Sequence, residues 1–327
     1  MGIEGLSPSA WLLFSGIALD AVFGDPRYSL HPIRLLGLTL TKCEKLLRRY
    51  GWDGYAGGCL LFVLLAFVWT AIPCAAVVLL FRWHPAAALA VHAFFVYSML
   101  ALRDLIDHVR VVENAIRRND LPAARSAIAM LVGRDTTRMD FAACRRAAIE
   151  SLSENFVDGF LSPVFWYVLL GLPGLLLFKI VSTMDSMVGY KSPLYIRFGW
   201  CGARLDDLMN YLPARLAWLI LGLAAGLLPN LSALKAWRIG WEQHSILPGP
   251  NPGWSEAATA GALRRRLIGP IWKDGVQVTN VWVGDAGDSE AGIHSTDLTR
   301  ALQLMITASV IVVVSGIVFL SRSPNGG

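Results

Sequence analysis

The sequence predicts an all-α integral membrane protein: about four to six membrane-embedded helices, some of them re-entrant, joined by helical cytoplasmic loops. Three observations predict it. Hydrophobic residues make up 55% of the 327 residues and charged residues only 16%, against roughly 25% charged in an ordinary soluble chain. Residues 59–81, 86–102 and 301–321 carry no Asp, Glu, Lys or Arg, and a spanning helix needs about 20 apolar residues. Lys and Arg concentrate in three loops, with six in 24–58, nine in 103–159 and seven in 235–300. That is the asymmetry that holds loops on the cytoplasmic side. The same numbers exclude a disordered chain, a basic nucleic-acid-binding tail and a disulfide scaffold. The formal net charge of +5 therefore reads as topology, and no nucleic-acid partner is expected.

Taken in order, the first apolar stretch, 5–19, is short and ends near Asp20, without the basic n-region of a cleaved signal peptide. Residues 59–81 and 86–102, joined at Arg82–Pro85, read as a helical hairpin in the bilayer, and 301–321 as a C-terminal span. Residues 160–178 and 216–234 are interrupted by Pro163, Gly171, Pro173 and Gly174 and by Pro229, so they read as spans, re-entrant pairs or packed helices. The whole chain reads as one polytopic membrane domain, 1–327, with 103–159 and 235–300 as large cytoplasmic loop regions.

Within 103–158, Leu102, Leu105, Val109, Val112 and Ile116 recur at helical spacing. Asp120 before Leu121-Pro122 reads as a helix start. Gly133 stops that helix, and another is expected from about Thr137 to Glu154. The 235–300 region, with Pro248, Gly249, Pro250, Pro252 and Gly253, is expected to begin as a loop. Val276–Val283 is its one convincing strand. The five cysteines make no C-x-x-C pair and read as buried, inert thiols.

No Walker A loop, dinucleotide fingerprint, HExxH or Ser-His-Asp pattern is present. What stands out are polar clusters beside apolar runs. In Gly24-Asp25-Pro26-Arg27 with His31-Pro32, the prolines fix the backbone around Asp25, Arg27 and His31; an interfacial turn would look the same. Glu150, Glu154 and Asp158 fall at i, i+4 and i+8. Three like charges in a stripe fit either a magnesium ion or a solvated face paired with Arg145 and Arg146. Asp185, Gly189 and Lys191 precede Arg204, Asp206, Asp207, Asn210 and Arg215, all between two apolar runs. Ionisable residues there are costly in lipid and point to function. Ser255-Glu256, in Pro250-Asn-Pro-Gly-Trp-Ser-Glu-Ala257, suits a helix start. Mixed acids and bases fit a phosphorylated, magnesium-bound substrate, and they fit a transporter equally.

Together these motifs resemble the CobD/CbiB proteins of cobalamin biosynthesis, the adenosylcobinamide-phosphate synthases. The resemblance rests on L-D-A-V-F-G-D-P-R at 19–27 with His31-Pro32, V-G-R-D-T at 132–136, E-S-L-S-E-N at 150–155 with Asp158-Gly159, and D-S-M-V-G-Y-K at 185–191. It continues through F-G-W at 198–200, A-R-L-D-D at 203–207, L-P-A-R at 212–215 and P-N-P-G-W-S-E-A at 250–257. It covers nearly the whole chain in order. Phe156-Val157, where small polar residues are expected, and Ser255, where proline is expected, depart from the pattern without removing a charge.

The resemblance implies an inner-membrane ligase. It would join the propionate carboxylate of adenosylcobyric acid to the amine of (R)-1-amino-2-propanol or its O-phosphate, driven by ATP and magnesium through an acyl phosphate. On that footing Glu154, Asp158 and Asp185 would hold magnesium, Lys191 and Arg204 would stabilise phosphoryl charge, and Asp206 or Asp207 would orient or deprotonate the amine. Asp25, Arg27, His31, Arg134, Asp135, Asn155, Asn210 and Arg215 would bind substrate or its phosphate. Its cytoplasmic substrates would place 154–215 on the cytoplasmic side, whereas charge counting with every apolar run crossing puts 182–212 outside. The chemistry favours a re-entrant or packed reading, with 160–178 broken at Gly171-Leu-Pro173-Gly174. Association with other late membrane enzymes of the pathway follows from the resemblance alone. The rival readings are a small-molecule transporter and a non-catalytic anchor or sensor of the AmpE-like kind.

Overall fold

The computed structural model describes residues 5–25, 28–273, 275–290 and 296–323. The apolar runs of the sequence fall largely in helices. In chain order these are α1 (Ala10–Phe23), α2 (Pro32–Arg49), α3 (Tyr55–Ala66), a π-helical turn (Phe67–Ala71), α4 (Ile72–Trp83), α5 (Pro85–Met99), α6 (Leu102–Arg117), α7 (Leu121–Ala129) and α8 (Phe141–Phe156). A second π-helical turn (Val157–Leu161) leads into α9 (Ser162–Val188), α10 (Trp200–Met209), α11 (Tyr211–Leu227), α12 (Ala233–Gln243) and α13 (Pro252–Leu263). Strands β1 (Arg265–Lys273), β2 (Val276–Val283) and β3 (Ser289–Glu290) follow, then α14 (Asp297–Arg322).

Among the described residues, Tyr55–Trp83, Pro85–Arg117, Phe141–Val188 and Asp297–Arg322 are long and apolar enough to cross a membrane, and the bent pair α10–α11 makes a fifth if it crosses as one span. The apolar window of Tyr55–Trp83 is only 17% buried. Its exposed Val63, Phe67, Ile72 and Leu79 are unfavourable in water and suit lipid. The protein is thus an all-α, multi-pass membrane protein with a small sheet.

The chain divides into two compact units, residues 1–101, 162–210 and 313–327 in the first and 102–161 with 211–312 in the second. In the first unit, α2 turns Leu36, Leu40 and Leu47 onto Leu61 and Leu65 of α3, Ile180, Met184 and Val188 of α9, and Phe198. The spacing of the α2 leucines by 4 and then 7 residues is what makes that face. The expected break in 160–178 falls at Gly171, whose φ of 67° and ψ of −150° lie outside the helical region. There the Leu172 amide donates to the Leu6 carbonyl (3.1 Å), and a Cβ on residue 171 would lie 2.2 Å from that oxygen. Only glycine fits both demands.

In the second unit Asp120 caps α7 by accepting from the Ala123 amide (2.9 Å), as its sequence context predicts. Four expectations need correction. The helix expected over 137–154 starts at Phe141, capped by Asp140, and runs on through the π turn into α9 without a loop. The 235–300 region opens with helix, because α12 carries apolar residues at helical spacing with Ser232 as its cap. Ser255 is not the cap of α13: the helix begins at Pro252 after Asn251, and Ser255 lies buried in its first turn. Finally, Val276–Val283 has a strand partner that periodicity did not show. β1 pairs antiparallel with it despite Gly269 and Pro270, with a register shift at Ile271/Trp272, and pairs parallel with β3 at its other edge.

All five cysteines are free. Cys74, Cys144 and Cys201 are buried as expected, whereas Cys43 is half-buried and Cys59 exposed.

Candidate functional site

The C-terminal end of α9 and the start of α10 carry the densest group of expected residues in the first unit. The Gly189 amide closes α9 on the Asp185 carbonyl (2.8 Å). A Cβ at Gly189 would lie 2.1 Å from Asp185 Oδ1. The glycine of D-S-M-V-G-Y-K therefore leaves room for the Asp185 carboxylate to fold over the turn. Asp207 of α10 is near enough to Asp185 to act on it electrostatically. Arg204 Nη1 reaches Asp207 Oδ2 at 3.3 Å, the i, i+3 pairing its spacing predicts. Lys191 follows the turn and is exposed.

Asn210 departs from the Arg204–Asp207 face, which its spacing matches only approximately. It is 2% exposed and faces inward, where its Nδ2 donates to Asp206 Oδ2 (3.0 Å) and its Oδ1 accepts from Ser162 Oγ (2.6 Å). Asn210 thus fixes Asp206 while Arg204 and Asp207 take a more exposed face. Elsewhere in the same unit, His31 Nε2 meets Asp25 Oδ1 at 3.0 Å, with His31 at the start of α2 and buried. Burial holds the imidazole below its ordinary value against the pull of Asp25, and Arg34 and Lys179 push the same way as burial. Arg27 lies outside the described residues.

The second unit holds two groups. Arg134 Nη2 pairs with Glu150 Oε2 at 2.5 Å. Asp135 instead builds a local turn: its Oδ1 accepts from Thr137 N (2.9 Å) and Thr137 Oγ1 (2.6 Å), and these bonds hold its carboxyl below the usual range. Asn155 Nδ2 donates to Ser151 O (2.8 Å) on its own helix, Glu154 is exposed, and Asp158 sits in the π turn. That turn changes the phase of the helix between Glu154 and Asp158, so the three acids do not form the regular α-helical stripe their spacing suggests. Neither Arg145 nor Arg146 makes the expected solvated face. Arg145 reaches Glu113 in the interior (3.3 Å), and Arg146 lies 5.1 Å from the Trp282 ring centroid.

Glu256, read from the sequence as part of a helix start and as a possible ligand, is enclosed in the structure. It is 4% exposed, its Oε2 has no hydrogen-bond partner, and the nearby Nε of Arg134 has none either. Burial raises its carboxyl well above the usual carboxylate range, Glu150 and Glu154 add to that, and Arg134 opposes it. The signal was available: the small, apolar A-A-T-A-G-A-L that follows marks α13 as a helix enclosed on all sides.

Arg215 forms the other group. Its guanidinium lies 3.4 Å from the centroid of Tyr211 and 5.0 Å from that of Trp254, and its Nη1 donates to Tyr211 O (2.6 Å) and Asn251 Oδ1 (3.5 Å). The L-P-A-R and P-N-P-G-W segments therefore meet. Among the described residues no three His, Cys, Asp or Glu side chains gather as a metal site. Of the expected magnesium ligands, Glu154 and Asp158 belong to one unit and Asp185 to the other.

The family model described as CobD/Cbib protein matches residues 13–305. The cobalamin biosynthesis protein CbiB of Salmonella typhi is 40% identical over 296 residues, covering 90% of this chain and 92% of that protein. The cobalamin biosynthesis protein CobD of Citrobacter koseri is 37% identical over 305 residues, 92% of each, and that of Photorhabdus laumondii 36% over 304 residues, 92% of this chain and 93% of the relative. No solved structure matches the chain. With its motifs in order from Asp25 to Glu256 and relatives matched over nine-tenths of its length, the chain belongs to the CobD/CbiB family of cobalamin biosynthesis proteins.

Proposed function

We propose that the protein is an acid–amine ligase that joins the propionate carboxylate of adenosylcobyric acid to the amine of (R)-1-amino-2-propanol or its O-phosphate. The observation that carries this reading is the group at the end of α9: Asp185 folded over Gly189, Asp207 beside it, and the cations Lys191 and Arg204 on the same segment. A carboxylate becomes an electrophile only once it carries a leaving group. ATP, as co-substrate, supplies one as a phosphoryl group; the amine then forms the C–N bond, phosphate departs and the amine gives up a proton. What the protein adds is position and charge.

Two oxygen-donor acids beside exposed cations fit a magnesium-bound triphosphate. Asp185 with Asp207 would hold magnesium, the phosphates and water completing its oxygen shell. Magnesium, when bound, neutralises phosphate charge. Lys191 and Arg204 offset charge on the transferred phosphoryl group. Asp206, fixed by Asn210 and Ser162, orients the amine or accepts its proton. Asp25 with His31, in the same unit, binds a polar group of a substrate. On this reading the protein lies in the inner membrane and its site opens to the cytoplasm, the side that would supply corrinoid, ATP and amine.

In reconstituted protein, Asp185→Asn and Lys191→Ala are expected to lower amide formation at least about 100-fold, the scale of lost charge stabilisation, with insertion and thermal midpoint retained. Turnover at the wild-type rate by either variant would remove that residue from the site.

A further inference from the structure

Two tryptophans lock α11 and α12 side by side. Trp218 Nε1 donates to the Trp237 carbonyl (3.0 Å), and Trp237 Nε1 to the Leu219 carbonyl (3.2 Å). Each ring also lies over a glycine of the other helix: a Cβ on Gly240 would run into Trp218, and one on Gly222 into Trp237. These contacts make the helices antiparallel. Trp241 comes level with the first turns of α11, where its ring centroid is 5.7 Å from that of Trp218. The outer surface is apolar. Leu219, Leu223 and Leu227 follow at i, i+4 and i+8 on α11 and are all exposed.

Arg215 heads that row, four residues before Leu219. A guanidinium has five N–H donors. Only Nη1 is engaged, by Tyr211 O and Asn251 Oδ1. Among the described residues no carboxylate pairs with Arg215, and its Nε and Nη2 have no acceptor. In the ring cluster beside it, Trp254 Nε1 is a second donor without an acceptor. The group therefore has donors in excess. An unpaired cation beside apolar surface is costly unless an anion meets it. Tyr211 and Trp241, both exposed, stand at the same end, and such rings gather where a bilayer meets water.

We propose that the α11–α12 surface binds one anionic phospholipid of the membrane. Its phosphodiester takes two parallel bonds from Nε and Nη2 of Arg215, and one acyl chain lies along Leu219, Leu223 and Leu227. The lengths agree. Twelve residues of helix from Arg215 to Leu227 rise about 18 Å, and half of a bilayer's hydrocarbon core is about 15 Å. The proposal is independent of the ligase reading. It gives Arg215, which the resemblance implies as a substrate or phosphate contact, a lipid phosphate instead.

The test uses full-length protein, delipidated in a neutral detergent and titrated with palmitoyl-oleoyl-phosphatidylglycerol, with bound lipid counted by native mass spectrometry. Wild type is expected to bind one such lipid at least about 10-fold more tightly than Arg215→Gln, the worth of a charged hydrogen bond. Affinities within twofold of each other would overturn the proposal. So would displacement of the lipid by equimolar aminopropanol O-phosphate or glycerol 3-phosphate, since the occupant would then be a free phosphate ester with no use for the leucine row. Should Arg215→Gln fail to fold, Leu223→Gln at its exposed position is read instead. About a 5-fold loss of lipid affinity is expected there from the apolar area withdrawn, and no loss would overturn the proposal. Because no substrate is turned over, each of these failures leaves the ligase reading standing.

Discussion

The Asp25–His31 pair shows how a single residue's surroundings set its chemistry. Burial keeps His31 neutral more strongly than Asp25 keeps it charged, so the folded protein binds its proton less readily than the unfolded chain does. Linkage then gives the sign: the stability is whole above the unfolded value of about 6.5 and falls as pH drops through it toward the lower folded value. The thermal midpoint of wild type is expected to fall between pH 7.5 and pH 5.5 by more than that of His31→Gln, which has no ring to protonate. Equal falls would show that His31 carries no such penalty. Asp206 makes the complementary point. Its place is set by Asn210 and Ser162, and nothing in a spacing rule assigns Ser162 to that chain of bonds.

Among the elements, α9 is the one on which the site depends, since Gly171 redirects its backbone and Asp185 lies in its last turn. Gly171→Ala must place a side chain in a conformation that only glycine adopts readily and 2.2 Å from the Leu6 carbonyl. It should cost at least about 2 kcal/mol, read as a lowered thermal midpoint in detergent; an unchanged midpoint would mean the break is not built as described. This break was legible, because Gly171, Pro173 and Gly174 interrupt an apolar run. So were the caps at Asp120 and the strand at Val276–Val283, each carried by local pattern. β1 was not, because Gly269 and Pro270 interrupt its alternation and its pairing with β2 supplies what propensity lacks. Among the site residues, spacing found Arg204–Asp207, placed Asn210 only approximately, and misread Asp158. A π turn and an inward-facing helix end both shift a face by an amount the sequence does not display.

For the molecule as a whole, the open matter is which side of the membrane the segment between α9 and α10 faces. Charge counting with every run crossing places it outside; the proposed chemistry places it in the cytoplasm. Ser192 is exposed in that segment. In a cysteine-free background, Ser192→Cys is expected to resist a membrane-impermeant thiol reagent on intact cells and to react once the cytoplasmic face is opened. Reaction on intact cells would reverse the topology. The central claim is the reaction itself, and reconstitution tests it most directly. Purified protein in lipid, mixed with adenosylcobyric acid, magnesium-ATP and aminopropanol or its O-phosphate, is expected to yield an amide-linked corrinoid heavier by the amine less one water, with ATP consumed. Folded protein that forms no amide with either amine would contradict the ligase assignment.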